Sequence, residues 1–282
     1  MRIRAADDVD AAACRARLPD LFPTTGYPPQ LIVAEVQGVG VVGAVGLVWA
    51  QEGFPLELAV DPPWRRRGVG GALVKAAIDR ARGETFALRT ASALIDGGAE
   101  AAFLQGLGFA LARRFRCFET DAAEFSKAIT RLLDRLKVAP RGSSDLRIAP
   151  LAEAPLSQVV DLVSTAFSAV PFSVARRLAP QAANGYDGQL SVVALEGERV
   201  VAAMLCTRSA DTIDIDVNVV VPDRRGGGVN VAVLEAMARG GRQAGATRFT
   251  FSCEPHVRDT LNLARRAGAV ETPSKIIMVR PL

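Results

Sequence analysis

The sequence predicts an α/β protein built as two tandem domains, each a mixed, mostly antiparallel sheet flanked by helices. Three observations carry this prediction. The chain has 282 residues, more than one typical domain. It repeats itself at an offset of 160: Val60, Pro62, Arg65, Gly68 and Gly108 recur as Val220, Pro222, Arg225, Gly228 and Gly268. Ile32-Val33-Ala34 likewise returns as Val192-Val193-Ala194, and the match runs without gaps from about residue 31 to 118. Within each copy, strand and helix patterns alternate. A period this long exceeds any solenoid unit and marks a duplicated domain.

Arg2 to Arg4 reads as an edge strand, followed by a helical region and two strands between residues 31 and 50. Gly38 to Gly40 suit the turn between those two strands, which makes them antiparallel. A strand ending at Val60, a helix from about Gly68, a strand near Thr85 to Thr90, a helix ending at Gly108 and a closing strand pair follow. Helices after Val60 and Thr90 are crossovers, so the sheet is mixed. Asp121 and Glu124 have capping-box spacing, and Phe125, Ile129, Leu132, Leu133 and Leu136 recur at helical spacing, which predicts a connecting helix. It ends at a linker, Ala139 to Asp145, rich in Pro, Gly and Ser. The expected division is a first domain over 1–120, a connecting helix and linker over 121–145, and a second domain over 146–282. Arg2-Ile3 resembles Arg147-Ile148 at an offset of 145, so the second copy carries 15 extra residues, placed around Ser173 to Gln189.

Hydrophobic residues at 49% and charged residues at 23% describe a globular chain and exclude disorder as the main state. Net charge is +4, and every basic side chain except Lys75, Lys127, Lys137 and Lys275 is an arginine. This mild excess fits a small anionic ligand at least as well as nucleic acid, which asks for a concentrated basic stripe, and the dispersal of the arginines disfavours nucleic-acid binding. Cys14, Cys117, Cys206 and Cys253 lie far apart with no CxxC pair, which suggests neither a zinc site nor a disulfide framework and points to the cytoplasm. Asp7, Asp8 and Asp10 stand where an export signal needs an apolar stretch. The most apolar run, Val39 to Ala50, falls short of the roughly 20 residues of a membrane helix, so no membrane association is expected.

The most informative segment is Val60-Asp-Pro-Pro-Trp-Arg65-Arg-Arg-Gly68-Val-Gly70-Gly71, a strand leading through a basic, glycine-bearing turn into a helix. The first N–H groups of a helix have no internal partner, glycines allow an anion to approach, and the helix dipole adds positive potential. The alternative is that the glycines serve helix packing and the arginines are solvated. GxxxxGK[ST] is missing and this loop does not read GxGxxG, which argues against nucleoside triphosphate hydrolysis. In the second copy Gly70 is replaced by Asn230, while Gly226 and Gly227 enter where the first copy has Arg66 and Arg67.

Arg65, Gly68 and Gly70 after Val60 and Pro62 resemble the R/Q-x-x-G-x-G/A acyl-coenzyme A loop of the GNAT superfamily of N-acetyltransferases. Phe103-Leu-Gln-Gly-Leu-Gly108-Phe109 is similar to that superfamily's helix ending in Gly-Phe, and the duplication is similar to that of mycothiol synthases. The resemblance implies acetyl-CoA or another acyl-CoA as co-substrate, no metal, and a small-molecule or protein amine as acceptor. It implies a coenzyme site formed by Leu58, Ala59 and Val60 of the strand with Arg65, Arg66, Arg67, Gly68, Val69, Gly70 and Gly71 of the loop.

Amine attack on a thioester needs a base, since an amine of lysine type has a pKa near 10. Glu57, with Glu52 upstream, is the candidate in the first copy. In the second, Asp214, Asp216 and Asn218 alternate with Ile215, Val217 and Val219, which places the polar three on one face, either an interface or a substrate cleft. Asp214 reads as the base and Asp216 as an anchor for a cationic acceptor. The tyrosine that the family often uses to protonate the leaving thiolate is replaced by Leu104 and Ala264, and Tyr27 and Tyr186 lie elsewhere. His256 reads as a surface histidine and Cys253 as a small buried residue. The competing reading is a catalytically silent acyl-CoA sensor or interaction module.

Overall fold

The structure is a computed structural model and describes residues 1–18, 21, 29–50, 53–136, 146–167, 171–179, 185–226 and 228–282. Along the first half the elements are β1 (Arg2–Ala5), α1 (Ala11–Arg17), β2 (Gln30–Val36), β3 (Gly40–Leu47), β4 (Phe54–Val60), α2 (Val69–Ala81), β5 (Ala87–Thr90), β6 (Leu94–Ile95), α3 (Ala99–Gly106) and β7 (Ala110–Asp121). The second half continues with α4 (Ala122–Leu136), β8 (Leu146–Pro150), α5 (Leu156–Phe167), α6 (Pro171–Leu178), β9 (Val192–Glu196), β10 (Arg199–Ser209), β11 (Thr212–Val220), α7 (Val229–Gln243), β12 (Arg248–Cys253), α8 (Arg258–Arg266) and β13 (Val270–Pro281). The repeat is visible in these bounds, since β7 and β13 begin and end 160 residues apart.

The chain forms two compact units, Met1–Arg114 with Ser274–Leu282, and Phe115–Pro273. These cut across the boundaries at 120 and 146 read from the sequence. Each copy's closing strand crosses from one unit to the other: the end of β7 pairs with β12 in unit 2, and the end of β13 pairs with β5 and β6 in unit 1. Two strands of the same rank and similar pattern are interchangeable by local propensity, and only tertiary pairing decides which sheet each completes.

In unit 1 the strands run β1-β2-β3-β4-β5-β13, antiparallel except for β4 and β5, which are parallel across the α2 crossover. Leu73, Val74 and Ala77 of α2 pack with Val45, Leu56 and Leu88 on one face, joined by Ile276 and Met278 of β13. On the other face Cys14 and Leu18 of the α1 region pack with Val33 and Ala44.

Unit 2 repeats the order as β8-β9-β10-β11-β12-β7, with β11 and β12 parallel. Asp121 caps α4, its carboxylate accepting from the Ala123 and Glu124 N–H groups at 2.8 and 3.2 Å. The helix is more than a connector: Phe125 and Ile129 are buried, and Phe125 packs on Phe249 and Phe251 beside α7. Helices α5 and α6 cover the opposite face over Val193, Leu205, Val217 and Val219. Among the described residues no helix is long and apolar enough to cross a membrane, and no group of three side chains of metal-ligating type converges.

Candidate active site

In unit 1 the parallel register of β4 with β5 covers only Phe54 to Leu56. The Ala91 N–H still reaches the Leu56 carbonyl at 3.0 Å, while the Asp61 N–H turns the other way to Val42 at 3.0 Å. Backbone groups alternate sides along a strand, so those of Leu58 and Val60 point toward the side that β5 has left. Leu58, Ala59 and Val60 therefore present a strand edge to an opening wedge, the geometry in which an extended amide-bearing ligand adds as a strand.

At the end of that edge Pro62–Trp64 forms a single 3-10 turn, and Arg65, Arg66 and Arg67 follow, all exposed. The Arg65 Nε donates to the Val60 carbonyl at 2.9 Å, which folds its stem back on the strand. Arg67 lies over the Trp64 ring, 5.4 Å from its centroid. Arg66 sits at φ 61°, a left-handed conformation that costs a non-glycine residue about 1–2 kcal/mol. Gly68, at φ 81°, starts α2. The first helical bond there runs from the Ala72 N–H to the Gly68 carbonyl at 3.0 Å and no side chain caps the helix, so the N–H groups from Gly68 to Gly71 lie outside the helical ladder. A Cβ at Gly68 or Gly71 would meet open space, whereas one at Gly70 would come 3.2 Å from Cζ of Phe103. This donor set, open to solvent and preceded in the chain by three exposed arginines, is of the kind that binds a phosphate group such as the pyrophosphate of a coenzyme A ester.

Glu57 stands on the other face of β4. Leu56, Leu58 and Val60 belong to the α2 core and Ala59 to the α1 core, so Glu57 is carried on the α1 side, half-buried and opposite Gly46. Arg89, registered to Pro55, is carried on that same face. Glu52, Tyr27 and Gly227 lie outside the described residues.

Unit 2 reproduces the loop backbone, with Gly226 at φ 76°, Gly228 at φ 86° and the Arg225 Nε donating to the Val220 carbonyl at 3.2 Å. Its chemistry differs. Arg224 is engaged by Glu196 at 2.7 Å and by Asp223. Asn230 fills the place of Gly70, its Oδ1 buried without a hydrogen-bond partner.

The register of β10 with β11 pairs Leu205 with Val217 and Cys206 with Ile215, leaving Asp216 as the extra residue of a β-bulge. The bulge changes the face pattern: Ile213 and Ile215 belong to the α7 core, Val217 and Val219 to the α5 core. Asp214 and Asp216 therefore lie on the α5 side, while Asn218, opposite Met204, falls on the α7 side, so the three polar residues do not share one face. Asp214 accepts from Thr250 Oγ1 at 2.6 Å. Asp216 Oδ2 accepts from Tyr186 at 2.8 Å and pairs with Arg177, whose guanidinium lies 4.1 Å from the Tyr186 ring centroid. Burial, reinforced by Asp216, pushes the Tyr186 phenol well above its usual range and makes it a poor proton donor. Sequence reading missed these partners because each lies 30 or more residues away.

Leu104 and Ala264 are buried core residues. His256 is exposed beside Glu254, at 3.4 Å. All four cysteines are buried and outside any disulfide, and burial pushes the Cys206 thiol up to about 12.

Residues 28–111 match the family model described as an acetyltransferase (GNAT) domain. No curated protein matches the chain by sequence. Among solved structures, a GCN5-related N-acetyltransferase from Sphaerobacter thermophilus is 16% identical with TM-score 0.56, over 99% of this chain and 95% of that one. A tandem GNAT protein from the clavulanic acid biosynthesis pathway is 16% identical with TM-score 0.59, over 99% and 98%. An acetyltransferase from Pyrococcus horikoshii, described as putative, is 14% identical with TM-score 0.56, over 100% and 89%. At such identities the likeness is one of fold, and it spans both units.

Proposed function

We propose that this chain, a GNAT-superfamily protein by its family model over residues 28–111 and by a tandem GNAT fold along its length, is an acyl-CoA-dependent N-acyltransferase working in unit 1. The observation that carries the reading is the coincidence, in one unit, of the uncapped Gly68–Gly71 N–H groups, the strand edge from Leu58 to Val60 and the carboxylate of Glu57 on the same strand. The co-substrate supplies the acyl group as a thioester. The loop and its arginines hold the pyrophosphate, and the edge of β4 aligns the pantetheine amides. Glu57, directly or through one water, takes the proton that the amine loses as its nitrogen bonds the carbonyl carbon and the C–S bond breaks. Leu104 and Ala264 offer no acid for the departing sulfur, so coenzyme A leaves as the thiolate. A small-molecule or protein amine is the acceptor. Four buried cysteines, none in a disulfide, accord with a reducing cytoplasm.

A second reading rests on the bulge at Asp216, beyond which β11 parts from β12 and carries Asp214 and Asp216 on one face. There Asp214, held by Thr250, would be the base. Free thiol release with acetyl-CoA and an amine panel separates the two. Glu57→Gln should lower kcat by about 10²–10⁴-fold with coenzyme affinity within about 2-fold, while Asp214→Asn stays within about 3-fold. The reverse pattern moves the chemistry to unit 2, and coenzyme binding without thiol release makes the protein a sensor.

A further inference from the structure

We propose that Arg17 is a positioning residue of the coenzyme loop in unit 1: it fixes Asp61, the pivot between β4 and the basic turn, and cancels that acid's charge where an anion must approach. This rests on the coenzyme reading above.

All three guanidinium nitrogens of Arg17 are engaged, two of them on Asp61. Nε and Nη2 donate to the two carboxylate oxygens of Asp61 at 2.9 and 2.6 Å, Nη2 also donates to the Val41 carbonyl at 2.7 Å, and Nη1 to the Ala13 carbonyl at 3.0 Å. One side chain thus ties α1, β3 and the end of β4 together, with the bidentate geometry that only arginine provides. Asp61 is where the strand becomes the loop. Its N–H donates to Val42 at 3.0 Å and its carbonyl accepts from Trp64 at 2.8 Å, so its backbone sets where the 3-10 turn begins and how Arg65 to Gly68 are aimed. The Arg17 and Asp61 side chains are only 20% and 34% exposed, so their attraction is less screened than that of a surface pair.

An acid inside an anion-binding turn is a liability, because its uncompensated charge repels the ligand that the turn serves. Unit 2 shows the arrangement without it. The residue equivalent to Asp61 is Val221, buried at 9% exposure, whose N–H also bonds the preceding strand, to Val201 at 2.9 Å, one residue out of step with the Asp61 bond to Val42. The pivot there is held by apolar packing. The clamp belongs to the unit whose loop keeps Gly70.

Calorimetric titration of the full chain with acetyl-CoA tests this with Arg17→Gln, Asp61→Asn and the double variant. Arg17→Gln should raise Kd by about 10-fold, since it leaves Asp61 unpaired, and Asp61→Asn by no more than about 3-fold. The double variant should bind better than Arg17→Gln alone, recovering to within about 3-fold of the parent, because removing the acid removes the repulsion. Hydrogen exchange without ligand should show faster opening of residues 61–68 in Arg17→Gln. Acetyl-CoA binding by the parent and all three variants alike would overturn the clamp while leaving the coenzyme reading intact. Losses that add in the double variant would reduce the pair to a structural brace and also overturn it. No binding by the parent would remove the coenzyme reading and this inference together.

Discussion

At their described residues, the turns at 65–71 of unit 1 and 225–231 of unit 2 follow the same backbone course, each placing a left-handed glycine, Gly68 or Gly228, at the start of a crossover helix. Their side chains diverge. Unit 1 offers three exposed arginines and a bare Gly70, whereas in unit 2 Arg224 is bound to Glu196 and Asn230 stands in the place of Gly70. The strands feeding the turns diverge as well: β4 is regular and carries one carboxylate, Glu57, while β11 is bulged and carries two, Asp214 and Asp216, each already hydrogen-bonded. Duplication has kept the scaffold, and the differences lie in the groups that would touch a ligand.

The largest expected effect tests the turns directly. Gly70→Asp adds a Cβ within 3.2 Å of Phe103 and a negative charge where phosphate is to sit. It should weaken acetyl-CoA binding by about 100-fold or more, while Asn230→Asp at the equivalent place should change it by less than about 2-fold. Equal losses by calorimetry would mean two working sites and erase the contrast between the turns.

Much of this contrast was legible in the sequence, because glycines that must adopt φ > 0 or admit an anion are fixed by local backbone chemistry and survive as a spaced pattern. The alternation in β11 misled for the opposite reason. A bulge is set by the partner strand, here by the step in register between Leu205 and Cys206, and the local sequence does not reveal it. Asp214, Ile215, Asp216, Val217 and Asn218 alternate on paper, yet Val217 and Asn218 exchange faces. Arg17 and Asp61 are 44 residues apart, so their meeting is tertiary information, although an acid inside a basic turn was a visible hint that something must neutralise it. The crossing of β7 and β13 between units was illegible, since both look like the last strand of their own copy.

That crossing provides the next test. Met278, 3% exposed, lies in the last strand of the second copy but in the core of unit 1, where its N–H donates to Thr90 Oγ1 at 3.2 Å. Met278→Ala should cost about 2–4 kcal/mol, as other buried methionine truncations do. Hydrogen exchange should locate the loss in α2 and β5 of unit 1 and leave β10 and β11 of unit 2 unchanged. Loosening confined to unit 2 would show that each half completes its own sheet.

The smallest effect compares the edge strands. In unit 1, Arg4 of β1 donates to Asp10 Oδ2 at 2.5 Å and Oδ1 at 3.1 Å, and to Glu35 at 2.9 Å, with the Asp10 side chain only 5% exposed. In unit 2, β8 is seated by Ala149 and Leu151, both 2% exposed, and its ion pair, Arg147 with Glu153, spans 3.5 Å between side chains 58% and 61% exposed. The Arg4 guanidinium, aided by the Asp7 N–H, holds the Asp10 carboxyl below its ordinary range against a burial that alone would raise it. A carboxyl whose folded pKa lies below its unfolded value of about 3.9 contributes stability above that pH and loses it as the pH falls through the folded pKa. Asp10→Asn should therefore cost about 1–3 kcal/mol near neutral pH, and thermal unfolding should show the parent and the variant converging as acid protonates Asp10. Glu153→Gln, at the screened pair, should track the parent within about 0.5 kcal/mol at every pH. A constant gap between Asp10→Asn and the parent down to pH values below the folded pKa would mean that packing, not charge, holds β1, and that the two edge strands are stabilised alike.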